Sequence, residues 1–245
     1  QPEMTDSDYV TQDMIDGLIE KYPDEVTGVA AQNYLGSGTI KDDADSKNYA
    51  NVNIDGITPE YLEYMKLEMH AGRNLTKADN QGKKRVCLIA DTMAERYFAG
   101  KDPIGETLSV ATSDGGIFDF VVVGVYVYNQ ALFGKVDTSI PEKDRVTELM
   151  IPLQTCFKLQ GTDRTGYDYF NLMIDPLADV NQATTDVLSY FDEMYANNKN
   201  FHVSAYNMAS DLGMINTELN VITIAVSGIA AISLIVGGVG VMNIM

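Results

Sequence analysis

The spacing of apolar residues changes along the chain, and each change predicts an element. In "SDYVTQDMIDGLIEKYPD" the residues Val10, Met14, Ile15, Leu18, Ile19 and Tyr22 recur every three or four positions. That period predicts an amphipathic helix, with Ser7 as N-cap and Pro23 as stop. "VTGVAAQNY" and "NYANVNIDGI" predict strands, with "GSG" at 36–38 a turn and "KDDADSK" a polar turn between them. Thr58 and Pro59 suit the N-cap and first turn of a short helix over "TPEYLEYMKLEM". "RVCLIA" predicts a buried strand and "DTMAERYFAG" a helix closed by Gly100. "ETLSVAT", "FDFVVVGVYVY" and "TELMIPL" predict strands, with a turn at "SDGG" and an aperiodic loop from Asn129 to Arg145. "YFNLMIDP", a helix with Val180, Ala183, Val187, Phe191 and Met194 on one face, and "FHVSAYNM" predict a β-α-β unit with parallel strands. Strand runs mixed with separate helices give an α+β fold class.

The pattern then changes solvent. From Leu219 to Met245 no residue is charged. As a helix this stretch is about 40 Å long, against a bilayer core of about 30 Å. It therefore predicts a transmembrane helix in a lipid bilayer. Small residues recur at helical spacing, Ser227 with Ala231 and Ser233 with Gly237, and Gly238 and Gly240 extend the set; such residues let membrane helices approach closely. In the twenty residues before the run only Lys199 is basic, while Asp211 and Glu218 are acidic. A cytoplasmic flank carries more Lys and Arg, so the soluble part is expected on the extracytoplasmic side of the cell membrane. Leu212, Ile215 and Leu219 keep helical spacing, which predicts one continuous helix running from the soluble part into the bilayer, with Gly213 its weak point. The start, "QPEMTDSDYV", has no basic n-region and no apolar run, and the chain is expected to be a fragment or a processed product.

Charge narrows the partners. The formal net charge is -18 and the pI about 4.3, which argues against nucleic acid, since phosphate binding needs a positive field, and permits cationic partners. Cys87 and Cys156 lie in apolar stretches outside any CxxC and read as two buried free thiols, with a single bridge the alternative in an oxidising compartment. His70 and His202 are the two histidines and stand apart; there is no HExxH and no Walker A. "DDADSKNYANVN" is acidic, but counted from Asp43 it has Asn48 and Ile54 where a calcium loop needs Gly and Glu. No catalytic group, cofactor or metal is expected. An acidic domain on a membrane helix without a reaction centre reads as an interaction or coupling part of something larger.

The order of these segments resembles the MacB-like periplasmic core domain of ABC transporter permeases in the FtsX-like superfamily. The residues that carry the resemblance are "VNIDGITPEYLEYMKLEMHAGRNLTKAD", "RVCLIADTMAERYFAGKDPIGETLSV", "FDFVVVGV", "LMIPLQT" and the tail "ISLIVGGVGVMNIM". The resemblance implies a porter-like α/β part over 1–82 and 162–210, interrupted by a smaller, mostly β insertion over 83–161, and followed at 211–245 by a linker helix and the start of a transmembrane helix. It implies a fold-signature turn at Asp102, Pro103 and Gly105. It also implies a second permease copy as a homodimer partner, a cytoplasmic ABC ATPase subunit, and in some members a periplasmic adaptor. Coupling of ATP hydrolysis to export or extraction of a macrolide, antimicrobial peptide or lipoprotein is the implied function. The alternatives are a sensor of cationic antimicrobial peptides and an activator of a cell-wall hydrolase.

Overall fold

The computed structural model describes residues 4–42, 45, 47–133, 139–162, 164–207, 219–227 and 229–230. They fall into two compact units, Gln1–Asp175 and Pro176–Met245.

Helix α1 spans Gln12–Lys21. Its cap is Thr11, whose hydroxyl accepts from Met14 N at 3.3 Å, so the helix starts later than the period from Ser7 predicts. Asp6–Asp8 instead form a separate 3-10 turn, and Val10 is drawn into a β-bridge with Tyr167. Strands β1 (Val26–Ala30), β2 (Gln32–Lys41) and β3 (Tyr49–Ile57) follow. The run "VTGVAAQNY" is thus two strands, broken at Ala31. Ala31 N donates to Thr58 Oγ1 at 3.0 Å and Thr58 Oγ1 donates to Val29 O at 3.3 Å. With its hydroxyl spent there, Thr58 caps nothing, and α2 shrinks to Tyr61–Tyr64 with Glu60 before it. "GSG" is not a turn: it lies inside β2, where the register with β3 slips between Tyr34 and Gly36 as at a bulge.

β4 is Met69–Gly72, α3 Lys77–Gln81, β5 Val86–Ala90, α4 Asp91–Phe98, β6 Thr107–Thr112, β7 Ile117–Tyr126, β8 Val146–Pro152, α5 Leu153–Leu159 and β9 Asn171–Ile174. α4 closes with Ala99 and Gly100 at φ 50° and 87°, one residue ahead of the predicted glycine stop. α5 is absent from the sequence expectations. Its first five residues, Leu153 to Phe157, are all buried, so it has no polar face to reveal a helical period.

The strand pairings run in a circle, β7-β5-β8-β3-β2-β6 and back to β7, with β4 laid on β7 as a seventh strand. β7 closes the ring because its long edge is shared: β6 takes Ile117 to Val121, and β4 takes Gly124 to Tyr126. β2 and β3 come from before Lys83, and β5 to β8 from Lys83–Gly161, and they share one apolar core that includes Ile40, Val52, Ile54, Leu88, Phe120 and Leu149. Each such side chain contributes about 1.5–3 kcal/mol by leaving water. The 139–146 segment is pinned to β3 by the Tyr49 hydroxyl on Asp144 and by Asn51 Nδ2 on Asp144 O.

β1 and β9 form a separate antiparallel pair. The predicted parallel β-α-β unit is therefore not formed: residues 201–207 carry no strand, and His202, Ser204, Ala205 and Tyr206 are exposed. In the second unit, α6 spans Val180–Tyr195, and Asp179 accepts from Asn181 N and Gln182 N at 2.9 and 3.2 Å. Its buried residues are Ala183, Val187, Tyr190, Phe191 and Tyr195, while Val180 and Met194 are exposed. Two tyrosines replace the two outer positions of the expected face.

Residues 219–227 and 229–230 are helical. No helix among the described residues is long and apolar enough to cross a membrane. Of the small-residue set Ser227 is described; Ala231, Ser233, Gly237, Gly238 and Gly240 lie outside the described residues, as do Asp211 to Glu218 of the expected continuous helix.

Candidate functional site

The densest polar construction in the first unit grows from "GRNLTKAD". β4 ends at Gly72, and Arg73 N donates to Val123 O at 2.9 Å. Asn74 then bridges outward, Nδ2 to Pro59 O at 2.8 Å, and Leu75 is buried. Thr76 caps α3 with a capping box: its hydroxyl accepts from Asp79 N, and Asp79 Oδ2 accepts from Thr76 N, both at 3.1 Å. Two cations close on the same carboxylate. Arg73 Nη1 reaches Asp79 Oδ2 at 2.7 Å, and Lys84 Nζ reaches Oδ1 at 3.0 Å. The Asp79 side chain is 1% exposed, whereas Arg73 and Lys84 are about half exposed. Burial works to raise the Asp79 pKa, but the bonds from Arg73, Thr76 and Lys84 prevail and hold it well below the usual carboxylate range. The far side of α3 grips α5: Gln154 N donates to Asn80 Oδ1 at 2.9 Å, and Thr155 Oγ1 donates to Lys84 O at 2.8 Å. One acidic residue therefore ties β4, α3 and the segment before β5 together, and its neighbours tie in α5.

Beside this knot lies a cavity of about 390 Å³ between α1, β1, the Thr58–Glu60 corner, α3 and the Gln154–Tyr167 region.

A second set of acids sits on β3 and β8. Asp55 is 4% exposed. Burial pushes its pKa up, and a hydrogen bond with Gln32 only partly opposes this; Gln32 Oε1 in turn accepts from the Tyr61 hydroxyl at 2.7 Å. Burial also raises Glu148; a bond from Asn53 pulls back, and the Asp55 charge adds to the rise. A carboxyl with a raised folded pKa contributes stability that is fully present below the unfolded pKa, about 4, and lost as pH rises through the folded value. Asp55→Asn is therefore expected to raise the unfolding midpoint at pH 7 relative to wild type, with the gap shrinking as pH falls toward 4. Urea denaturation across that range checks it, and a gap that grows in acid would reverse the sign.

The other singled-out residues have mostly structural surroundings. In the Asp102-Pro103-Ile104-Gly105 turn, Asp102 Oδ1 accepts from Ile104 N at 2.9 Å, Gly105 N donates to Val122 O at 2.8 Å, and Gly105 has φ 89°, a conformation that favours glycine. Cys87 and Cys156 are buried and unbridged, and burial pushes both thiols up. Among the described residues no three His, Cys, Asp or Glu side chains converge as a metal site would need; Asp43, Ala44 and Ser46 of the acidic loop lie outside the described residues. Thr76 and Asp79 were readable as a capping pattern. Gln32 and Asp55 were not, because the pairing of β2 with β3 brings them together; Lys84 lies five residues past Asp79 in no recognised pattern.

The model of the MacB-like periplasmic core domain matches residues 1–190. The macrolide export ATP-binding/permease protein MacB of Bdellovibrio bacteriovorus is 26% identical over 210 residues, 82% of this chain and 29% of that protein. The Bacillus subtilis ABC transporter permease YknZ, described as uncharacterized, is 26% identical over 192 residues, 78% of this chain and 44% of that protein. The chain thus spans less than half the length of these relatives. Two solved structures share the fold. The periplasmic region of MacB from Actinobacillus actinomycetemcomitans has a TM-score of 0.56 at 20% identity, covering 84% of this chain and 83% of that one. The extracellular domain of the YknZ transporter from Gram-positive bacteria has a TM-score of 0.53 at 20% identity, covering 80% and 90%. With the family model matching most of its length and the same α+β fold in both structures, this chain belongs to the MacB-like periplasmic core domain family.

Proposed function

We propose that this chain is the extracytoplasmic part of an ABC transporter permease and passes motion between its own folded domain and the membrane. The observation that carries the reading is the family match over 1–190, followed by an uncharged run from Leu219 to Met245. The run is long enough to enter a bilayer as a helix. The working assembly is two permease copies with cytoplasmic ATPase subunits, and the cargo a macrolide, peptide or lipoprotein. The domain itself acts without chemistry of its own.

A continuous helix transmits displacement, and a glycine-rich linker absorbs it. Inserting four glycines after Asn216 in the full permease is expected to abolish export while leaving ATP hydrolysis and the thermal melt of the domain unchanged. The readouts are survival of the host against a panel of macrolides and cationic peptides, phosphate release from purified complexes, and circular dichroism. Export at the wild-type level would reject transmission of motion through the helix.

The net charge of -18 favours a second reading, a sensor of cationic peptides. Binding of that kind weakens steeply with salt. Calorimetry with such peptides at low and high ionic strength separates the two, and salt-insensitive or absent binding eliminates the sensor.

A further inference from the structure

We propose that the cavity between α1, β1 and α3 binds a short peptide with both termini free. The proposal rests on the cavity alone and stands whether or not the coupling role holds.

Its volume, about 390 Å³, falls in the range that encloses a small organic ligand, roughly 300–1,000 Å³. Its charged lining residues have opposite signs on different elements. Asp16 of α1 and Glu60, just before α2, supply carboxylates; Lys77 at the start of α3 and Lys83 just past its end supply ammonium groups. A ligand with a single charge would meet groups of its own sign as well as of the opposite one. A ligand that carries both an ammonium and a carboxylate can pair each with a group of opposite sign. The lining also includes buried Ile15, Val29 and Tyr167, which suit a small aliphatic side chain, and polar Thr27, Thr58 and Asn80, which suit a peptide backbone.

The wall also holds an acceptor without a donor. Gln154 is 7% exposed. Its backbone N–H is spent on Asn80 Oδ1, and its Nε2 donates to Thr165 O at 2.9 Å. Its Oε1 has no hydrogen-bond partner among the described residues. A buried oxygen left so is costly, and a small shift of the amide toward a peptide N–H would satisfy it. A free amino acid offers no amide N–H, and a peptide does.

Isothermal titration calorimetry of the 245-residue chain in detergent micelles, with Ala-Leu-Ala as probe and N-acetyl-Ala-Leu-Ala amide as its uncharged counterpart, tests this. The free tripeptide is expected to bind saturably, and blocking both termini to weaken binding about tenfold or more, a loss of about 1.4 kcal/mol or more. The Asp16→Asn/Glu60→Gln pair is expected to erase the preference for a free amino terminus, and the Lys77→Gln/Lys83→Gln pair the preference for a free carboxylate. Gln154→Met should weaken both probes alike. The paired charge substitutions should leave the thermal melt in place, which keeps a folding defect apart from a binding defect. No saturable heat with the free tripeptide up to millimolar concentration, equal affinity for the two probes, or affinities untouched by both pairs of substitutions would overturn the assignment.

Discussion

Replacing Asp79 by Asn is expected to cost about 3 kcal/mol of stability in the first unit. Removing one partner of a buried ion pair typically costs about 3–5 kcal/mol, because the other charge is left uncompensated. The low end applies here, since Arg73 and Lys84 are about half exposed and water recovers part of what they lose. Asparagine keeps the shape, and its Oδ1 still accepts from one donor, but it cannot hold Thr76, Arg73 and Lys84 together. For a domain of 150–250 residues the melting temperature falls by about 2–4 °C per kcal/mol, so the shift should be about 6–12 °C. The pH dependence is a second signature. The folded pKa of Asp79 is depressed, so its contribution is present above the unfolded pKa, about 3.9, and is lost as pH falls through the folded value. Wild type and variant should therefore converge in strong acid and differ most near neutrality. Calorimetric melts at pH 7 and pH 2.5 check both statements, and a gap that persists undiminished at pH 2.5 would assign the loss to packing and not to charge.

Gly56→Ala is expected to be comparably damaging for a different reason. Gly56 lies in β3 directly under α5, and a Cβ added there would stand 2.2 Å from Cys156 Cβ, 2.9 Å from its sulfur and 3.3 Å from Leu153 Cα. Rotating a side chain does not relieve a clash between two Cβ atoms, so strand and helix must separate. Overpacking of this kind typically costs about 1–3 kcal/mol and occasionally more, and the position on a fully buried strand end argues for about 3. The compensating change is specific. Cys156→Ala keeps the offending Cβ and should not rescue Gly56→Ala. Cys156→Gly removes it and should recover part of the loss, less the cost of about 1 kcal/mol for a helical glycine. Chemical denaturation of the single and double variants gives the coupling, and equal effects of Cys156→Ala and Cys156→Gly on Gly56→Ala would reject the contact argument.

Local patterns carried most of the elements. α1 and α6 form on the segments whose 3.6-residue period marks them, though α1 starts later than Ser7 predicts and α6 turns two tyrosines inward in place of Val180 and Met194, while the runs of β5, β7 and β8 and the "SDGG" turn lie where spacing and turn chemistry put them. The failures are instructive. α5 is buried on every side through its first five residues, so burial removed the period that would have marked it. Thr58 has the composition of a helix cap, but a hydroxyl makes few bonds, and the break at Ala31 claims them. "FHVSAYN" alternates like a strand yet leaves four of its residues exposed. Of the site, "T-x-x-D" announces the cap of α3 in a local spacing, whereas Arg73 and Lys84, six and five residues from Asp79, belong to no such pattern although they close on the same carboxylate. The cavity has no local signature at all, because its lining comes from segments as far apart in the chain as Gln12 and Tyr167.

Closure of the strands into a ring also dictates the order in which the chain can fold. Two of the pairings are hairpin-like and available early: β2 with β3, and β6 with β7. The others are not. Gly38 must wait for Thr112, and Asn51, in parallel pairing, for Val146. Loop-closure entropy has to be met before such distant pairs give anything back. The ring therefore cannot be completed from the N-terminus as the chain emerges. Until β8 arrives, β3 exposes an unsatisfied edge on one side, and the residues that will become the core remain open to water. Pro152 is the last residue the ring requires, so whatever hairpins form early, the ring itself stays open until that residue has reached the compartment where the domain folds.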